Sequence, residues 1–409
     1  MLKPLYLDTA RLGQMSPKAC RASIDFSRFA AEHGCDLYLS QLLMHGFDRW
    51  PKWLRDTYSG LCDWQGVSGL KNRLRTLSQS NEDSKVALAS RSSSLMRLAA
   101  KLISGPCRNV LVTDLTWPVY GEILEQERKS ALFRMTVCPV RANLLREEMT
   151  SAELIQKLVD TYTSNQCDGL FLPLIDNFGV KLPVQQIVQS IESRADLRFV
   201  LVDGAQALGQ IPLELERGYC DFLVAGCHKW LRAYSPMGVG FYGMRGGGHY
   251  IDDSLQRWLK AGTVDDPLMS FIQELETGQL QPFGETVHIA PLFNANAAAE
   301  DALQPLPRKQ HTVHSAISFT EVFHGWHRVG PKGDMQSDAT LFENCDPRFR
   351  AASGETIRRQ FFESGVVVTA YDNGLIRVSE PRAELNQDEA DRLIFGFNGV
   401  PIQFHNTCR

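Results

Sequence analysis

The chain has 409 residues, 44% of them hydrophobic and 22% charged, with a formal net charge of −4. That length holds two domains, or one large domain with a smaller appendage, and the mildly acidic balance excludes a global electrostatic case for nucleic acid or an anionic membrane. No run approaches the roughly 18 apolar residues of a membrane span. The opening stretch Met1–Pro17 lacks a basic-then-apolar signal pattern, so a cytoplasmic protein is expected. The ten cysteines are scattered without CxxC spacing, which argues for reduced thiols over a zinc ribbon or a disulfide framework.

From Lys85 to Tyr242, short apolar runs alternate with helix-length amphipathic ones. The runs Lys85–Ser90, Asn109–Asp114, Arg134–Cys138, Gly169–Leu174, Phe199–Asp203, Asp221–Ala225 and Gly238–Tyr242 predict strands buried on both faces. Between them, Ser93–Ile103 and Ser151–Thr163 predict helices, the second opened by a capping box from Thr150 to Glu153. The alternation implies an α/β domain around a mostly parallel sheet, with its ligands at the carboxyl ends of the strands. Arg245–His249, with three glycines, reads as a flexible turn, because no G-x-G-x-x-G opens a helix there. Gln304–Gln310 reads as a surface connection. A β-like run (Ala316–Val322), a helix (Gly354–Ser364), strands (Val366–Thr369 and Leu375–Val378) and a helix from Asn386 then predict a smaller α+β domain. The expected division is an N-terminal segment over residues 1–20 packing near the site, a large domain over 21–290 and a small one over 291–409.

The chemistry concentrates in two blocks, FVLVDGAQALGQ (Phe199–Gln210) and DFLVAGCHKWLRAYSPMGVGFYG (Asp221–Gly243). Asp203 closes one apolar run and Lys229 follows the next, 26 residues later, about one strand–helix–strand unit. A deprotonated lysine captures a carbonyl as a Schiff base. A buried aspartate beside it keeps a ring nitrogen protonated. Together they suit pyridoxal 5′-phosphate (PLP). The histidines at 311, 314, 324 and 327 have i,i+3 spacing, which shares a face only on a helix. The run between the pairs reads as β, so no metal site is expected.

These blocks resemble the fold-type I PLP enzymes of the class V aminotransferase group, which includes cysteine desulfurases, selenocysteine lyases and isopenicillin epimerases. The likeness extends, with gaps, from about Tyr6 to about Phe397. It implies a large domain with a mostly parallel seven-stranded sheet and a smaller C-terminal α+β domain. It also implies that Lys229 carries the cofactor and shuttles protons, that Asp203 pairs with the pyridine nitrogen and that Gln206 lies near the ring's phenolic oxygen. His228 would face the phosphate with Ser93 and Ser94, although serines at a helix start serve equally as caps. Asn177 would contact the ring hydroxyl. Trp117 reads equally as a ring-stacking aromatic and as a core tryptophan. Thr286 would reach the phosphate of a neighbouring subunit, which implies a homodimer with shared sites. Arg377, in an R-x-S motif with Ser379, would hold the substrate α-carboxylate through a bidentate fork. Arg11, in the segment Tyr6–Arg11, would meet a side-chain anion.

Two departures stand out. Desulfurases need a nucleophilic cysteine on a loop before the R-x-S strand, whereas Gly365–Gly374 holds none and leads directly to Arg377. Gly226 stands where many relatives have a phosphate-binding serine. The expectation is a PLP-dependent enzyme acting on a small-molecule amino acid or amine, with transamination favoured because it needs no extra nucleophile. A lyase or epimerase would share the ground plan. The rival from another class is a PLP-fold binding or regulatory protein.

Overall fold

The computed structural model describes residues 3–34, 40–279, 286–304, 325–381 and 385–398. Its strands are β1 (Leu5–Tyr6), β2 (Lys85–Ala89), β3 (Asn109–Thr113), β4 (Arg134–Cys138), β5 (Gly169–Pro173), β6 (Phe199–Asp203), β7 (Phe222–Gly226), β8 (Gly238–Tyr242), β9 (Trp326–Val329), β10 (Ala339–Asn344), β11 (Val366–Val367), β12 (Thr369–Tyr371) and β13 (Leu375–Ser379).

The large sheet has seven strands in the order β2-β8-β7-β6-β5-β3-β4. Its strands run parallel except β8, which is antiparallel to both β2 and β7. Strands β3, β5, β6, β7 and β8 are buried along their whole length, which explains their continuous apolar composition. Alternate residues serve opposite faces. In β6, Phe199 and Leu201 pack with Leu95, Leu98 and Tyr120 from the helices Ser92–Ser104 and Pro118–Ala131. Val200 and Val202 join the other core, with the helices Gly66–Ser78, Ser151–Ser164 and Val184–Glu192.

The seven strands predicted between Lys85 and Tyr242 match to within a residue at each end, the predicted strand Val366–Thr369 is instead broken into β11 and β12, and Thr150 and Glu153 form the expected capping box. The Arg245–His249 reading is corrected: the turn ends early, and Gly248 and His249 open a helix to Lys260. Glycine-rich composition hid a helix whose later residues, Ile251 and Leu255, are anchored in the core. The segment Ala316–Val322 lies outside the described residues, as do His311, His314 and His324.

The smaller body is an antiparallel sheet in the order β12-β13-β10-β9, with the helices Gly354–Glu363 and Gln387–Asn398. It has its own core, built on Trp326, Phe342, Ile357, Phe361, Ile376 and Phe397. The helix Ala290–Leu303 packs instead against the helix Pro17–His33 in the large body, with Phe293 against Phe26 and Trp64. We therefore propose a domain boundary after this helix. The N-terminal segment joins the two bodies. β1 pairs in parallel with β11, the Ser379 N–H donates to Leu7 O, and the Ala10 N–H donates to Ser379 Oγ at 2.9 Å. No helix among the described residues is long and apolar enough to cross a membrane.

Candidate active site

The carboxyl ends of β2, β3, β5, β6 and β7 open into a cavity of about 510 Å³, closed on one side by β12 and β13 and by the N-terminal segment. Asp203 ends β6, and Lys229 follows β7 by three residues. The parallel pairing of β6 with β7, register Asp203 to Val224, is what brings two residues 26 apart to one floor.

The turn carrying Lys229 is tightly wound, with Arg232 and Tyr234 at φ of 65° and 64°, a left-handed conformation that costs free energy in residues other than glycine. The N-terminal segment clamps it. The Gly13 N–H donates to His228 O at 2.7 Å and the Ser16 N–H to Arg232 O at 3.0 Å, while Arg232 Nε donates to Gln14 O. A Cβ at Gly13 would come within 2.0 Å of Lys229 O, so only glycine permits this approach. Gln206 completes the clamp: its Nε2 donates to Ala10 O at 2.9 Å and its Oε1 accepts from Trp230 Nε1 at 2.8 Å.

Burial dominates the electrostatics here. Desolvation pulls the Lys229 ammonium from 10.5 down to about 8, opposed by Asp203 and reinforced by Arg377. Desolvation raises the Asp203 carboxyl to about 6, against the Ala205 N–H it accepts at 2.8 Å and the charge of Lys229. His228 is pulled down to about 4 by burial and by Lys229, so it is neutral near pH 7, and its buried Nδ1 has no partner.

The opposite wall is built on Arg377, which is 2% exposed. Its Nη1 donates to Asn177 O and Oδ1 at 2.7 and 2.8 Å, and its Nη2 donates to Thr369 Oγ1 at 3.2 Å and lies 3.7 Å from Asp8 Oδ1. Asp8 in turn accepts from Thr369 Oγ1, and Asn177 Nδ2 donates to Tyr371 Oη at 2.9 Å. Arg377 Nε is buried without a partner.

The cavity thus brings together Lys229, Asp203, Gln206, His228, Ser93, Asn177, Trp117, Arg377 and Arg11. Trp117 is 41% exposed, a mouth residue and not a core one. Ser94 does not line the cavity; Ser92 does, because the first turn of its helix presents residues 92 and 93. Thr286 is exposed and outside the cavity. Sequence reasoning preferred Ser94 to Ser92 within the serine run and missed Asp8, Asp176, Thr369 and Tyr371. Asp176 is 3% exposed, accepts from the Phe178 and Val180 N–H groups, and has its carboxyl raised to about 6 by burial. Its signal was the sequence Asp-Asn-Phe-Gly, a turn in which the aspartate caps its own backbone. Among the described residues, no group of three or more His, Cys, Asp or Glu could hold a metal ion.

A parallel sheet with one reversed strand, a small antiparallel cap, and an aspartate and lysine at neighbouring strand ends define the fold-type I architecture of PLP-dependent enzymes. The same fold is found in a C-DES mutant with glycine covalently linked to the PLP cofactor (TM-score 0.65, 15% identity, covering 96% of this chain and 95% of that one). It is found too in ureidoglycine–glyoxylate aminotransferase of Bacillus subtilis (TM-score 0.63, 13% identity, 99% and 96%). Residues 152–300 match the family described as Aminotransferase class-V. It is 31% identical over 148 residues to the mitochondrial cysteine desulfurase of Drosophila melanogaster, covering 33% of this chain and 28% of that protein. It is 41% identical over 71 residues to isopenicillin N epimerase of Streptomyces clavuligerus, covering 17% of each. The chain thus matches less than a third of the length of these curated relatives.

Proposed function

We propose that this chain is a PLP-dependent aminotransferase acting on an amino acid or amine. The observation that carries the reading is a lysine with a lowered pKa and no hydrogen-bond or ion-pair partner among the described residues, beside a buried aspartate in one cavity. The residues fit the cofactor. Among the described residues the Lys229 amine has no partner, His228 Nδ1 and Arg377 Nε are orphaned, and the helix at Ser92 has no side-chain cap from its N-cap residue. When bound, PLP supplies an electron sink for the carbanion at the substrate α-carbon.

In this reading, Lys229 Nζ attaches the cofactor and, once released by substrate, moves the α-proton as general base. A pKa of about 8 leaves a useful neutral fraction near pH 7. Asp203 holds a proton at the ring nitrogen. Arg377 binds the substrate carboxylate through the edge that Asn177 leaves open, where Nε is unpartnered. Trp117 and Tyr371 shield the mouth from water, and Arg11 meets an anionic side chain. A homodimer belongs to the proposal, in which the exposed Thr286 would reach a partner's site; sedimentation would test it.

Desulfuration is disfavoured by local structure. The place of the cysteine loop is a tight hairpin between β12 and β13, turned by Asn373 and Gly374 at φ of 65° and 74°. Cys345 is exposed and outside the cavity.

The test is incubation of the purified protein with PLP and a panel of amino acids. Accumulated pyridoxamine phosphate supports transamination. Ammonia with a keto acid and no acceptor would replace that reading with elimination, and α-proton exchange with deuterium alone would replace it with epimerisation. A colourless protein that cannot be reconstituted would sink the enzyme reading in favour of a binding protein.

A further inference from the structure

Outside the cavity, the small body carries a second group of chemically active side chains where β10 ends. β10 pairs with β9 so that Glu343 lies directly opposite His327. The ladder runs on past the strand end, where the Cys345 N–H donates to Gly325 O at 3.1 Å. Alternate residues of a strand share a face, so Cys345 joins Glu343 and His327 on the outer one, while Asn344 and Trp326 are buried on the other. Cys345 Sγ lies 3.5 Å from His327 Nδ1, and His327 Nε2 lies 3.3 Å from Glu343 Oε2. From the helix Pro347–Ala351, Arg350 Nη2 donates to Glu343 Oε1 at 2.8 Å and stands 3.9 Å from Cys345 Sγ. Cys345 is exposed, and the His327 and Arg350 side chains are about half exposed, so the sulfur is open to a reagent from solvent.

The order of the atoms decides what this group can do. A metal needs sulfur, imidazole and carboxylate to converge on one point, whereas here the ring turns one nitrogen to the sulfur and the other to the carboxylate. An ionised carboxylate only accepts, so Glu343 favours the imidazole proton on Nε2 and leaves Nδ1 to accept from the thiol. A nucleophile, a base within reach of it and a third group orienting the base is the arrangement that activates a cysteine. Cys62 supplies the contrast: it is also exposed, but its Sγ donates to the Arg55 carbonyl at 3.3 Å, an acceptor that cannot take the proton away.

We propose that Cys345 is a thiol-modification site whose substrate is a low-molecular-weight disulfide. The thiol proton passes to His327 Nδ1, and the sulfur attacks one sulfur of the reagent. The reagent's S–S bond breaks as a new one joins Cys345 to the attacked half. The other half leaves with the electron pair of the broken bond and takes the proton back as a free thiol. Cys345 is oxidised to a mixed disulfide while the leaving half is reduced, so no further oxidant is needed. Arg350 meets the negative charge on the sulfur during the attack. The site stands outside the cavity and is independent of the cofactor reading.

The test treats the full-length protein with oxidised glutathione at neutral pH and follows each cysteine by peptide mass analysis. Only a few per cent of an unassisted thiol is ionised there, so assistance is worth about 10-fold in rate. Cys345 should gain the glutathionyl group faster by that factor than Cys20 and Cys62, the other exposed thiols among the described residues. His327→Asn, at an exposed position, should bring Cys345 down to their rate, and denaturant should erase the difference in wild type. Cys345 no faster than Cys62 in the folded protein, a rate unchanged in His327→Asn, or an advantage that persists in denaturant overturns the assignment.

Discussion

The floor and the wall of the cavity are built on opposite principles. On the wall, most polar groups are answered from within the protein, Arg377 Nη1 and Nη2 by Asn177, Thr369 and Asp8 and Asn177 by Tyr371, while Arg377 Nε and Asp176 Oδ2 stay open. On the floor, the Asp203 carboxylate accepts one backbone hydrogen bond, the Lys229 amine makes none to a described residue, and His228 Nδ1 is orphaned. Buried polar groups are normally paired, because leaving them unpaired costs free energy. A largely unpaired floor facing a wall paired except at Arg377 Nε and Asp176 Oδ2 marks where the protein is incomplete by itself. The floor is shaped for a group brought from outside, and the wall is a preformed, rigid anchor.

Removing the central group of each region breaks the comparison most severely. Lys229→Ala should abolish covalent attachment of PLP and reduce turnover by about a thousand-fold or more, since nucleophile and base are lost together. Mass analysis after borohydride reduction would check it, and a lysine adduct persisting in that variant would refute the assignment. On the wall the loss should be structural. Arg377→Ala strands the Asp8 carboxyl, 4% exposed, without its cation, and should cost about 3–5 kcal/mol in a urea titration. Adding Asp8→Asn should recover part of that loss. A Lys229→Ala protein, by contrast, should be as stable as wild type or more so, because no internal pairing is broken.

Asp203 sharpens the contrast at smaller scale. Its carboxyl is raised from 3.8 to about 6 by burial, so the folded state holds the proton more tightly than the unfolded chain. The stability this contributes is complete below the unfolded pKa and is lost as pH rises through the folded one. The window is worth about 3 kcal/mol. Asp203→Asn apoprotein should therefore gain about that much on wild type between pH 4 and pH 7, read from paired denaturation curves. A difference independent of pH would mean that Asp203 is not uncompensated.

The floor was legible in the sequence and the wall only in part, for a geometric reason. Asp203 and Lys229 close two adjacent apolar runs, so their spacing announces them, and the family resemblance of the same two blocks carries Gln206 and His228. Asn177 reaches Arg377 across 200 residues, and Asp8 reaches Thr369 across 361, through pairings of β1 with β11 and β12 with β13 that no local pattern encodes. Thr369 could have been found from register, since it lies opposite Arg377. Ser92 was passed over for Ser94 because a run of three serines carries no phase until the helix start is fixed at Ser92. β10 escaped notice because Thr340 and Glu343 interrupt its apolar run without alternating, although five of its six residues are buried.

The subtlest expected effect places both regions on one titration. Lys229 sits between them, with its pKa lowered to about 8 chiefly by burial, raised by Asp203 and lowered by Arg377. Capture of PLP needs the neutral amine, so its rate on apoprotein should rise with pH to a midpoint near 8, well below the 10.5 of an exposed lysine. Asp203→Asn removes the charge that stabilises the ammonium and should move the midpoint down. Arg377→Gln removes the charge that destabilises it and should move the midpoint up, while keeping hydrogen-bonding capacity at the wall. Stopped-flow absorbance across pH would read both. Opposite shifts mean that floor and wall act on the same amine with opposite sign; no shift for Arg377→Gln would mean that the wall is electrically silent, and no shift for either would mean that burial alone tunes Lys229.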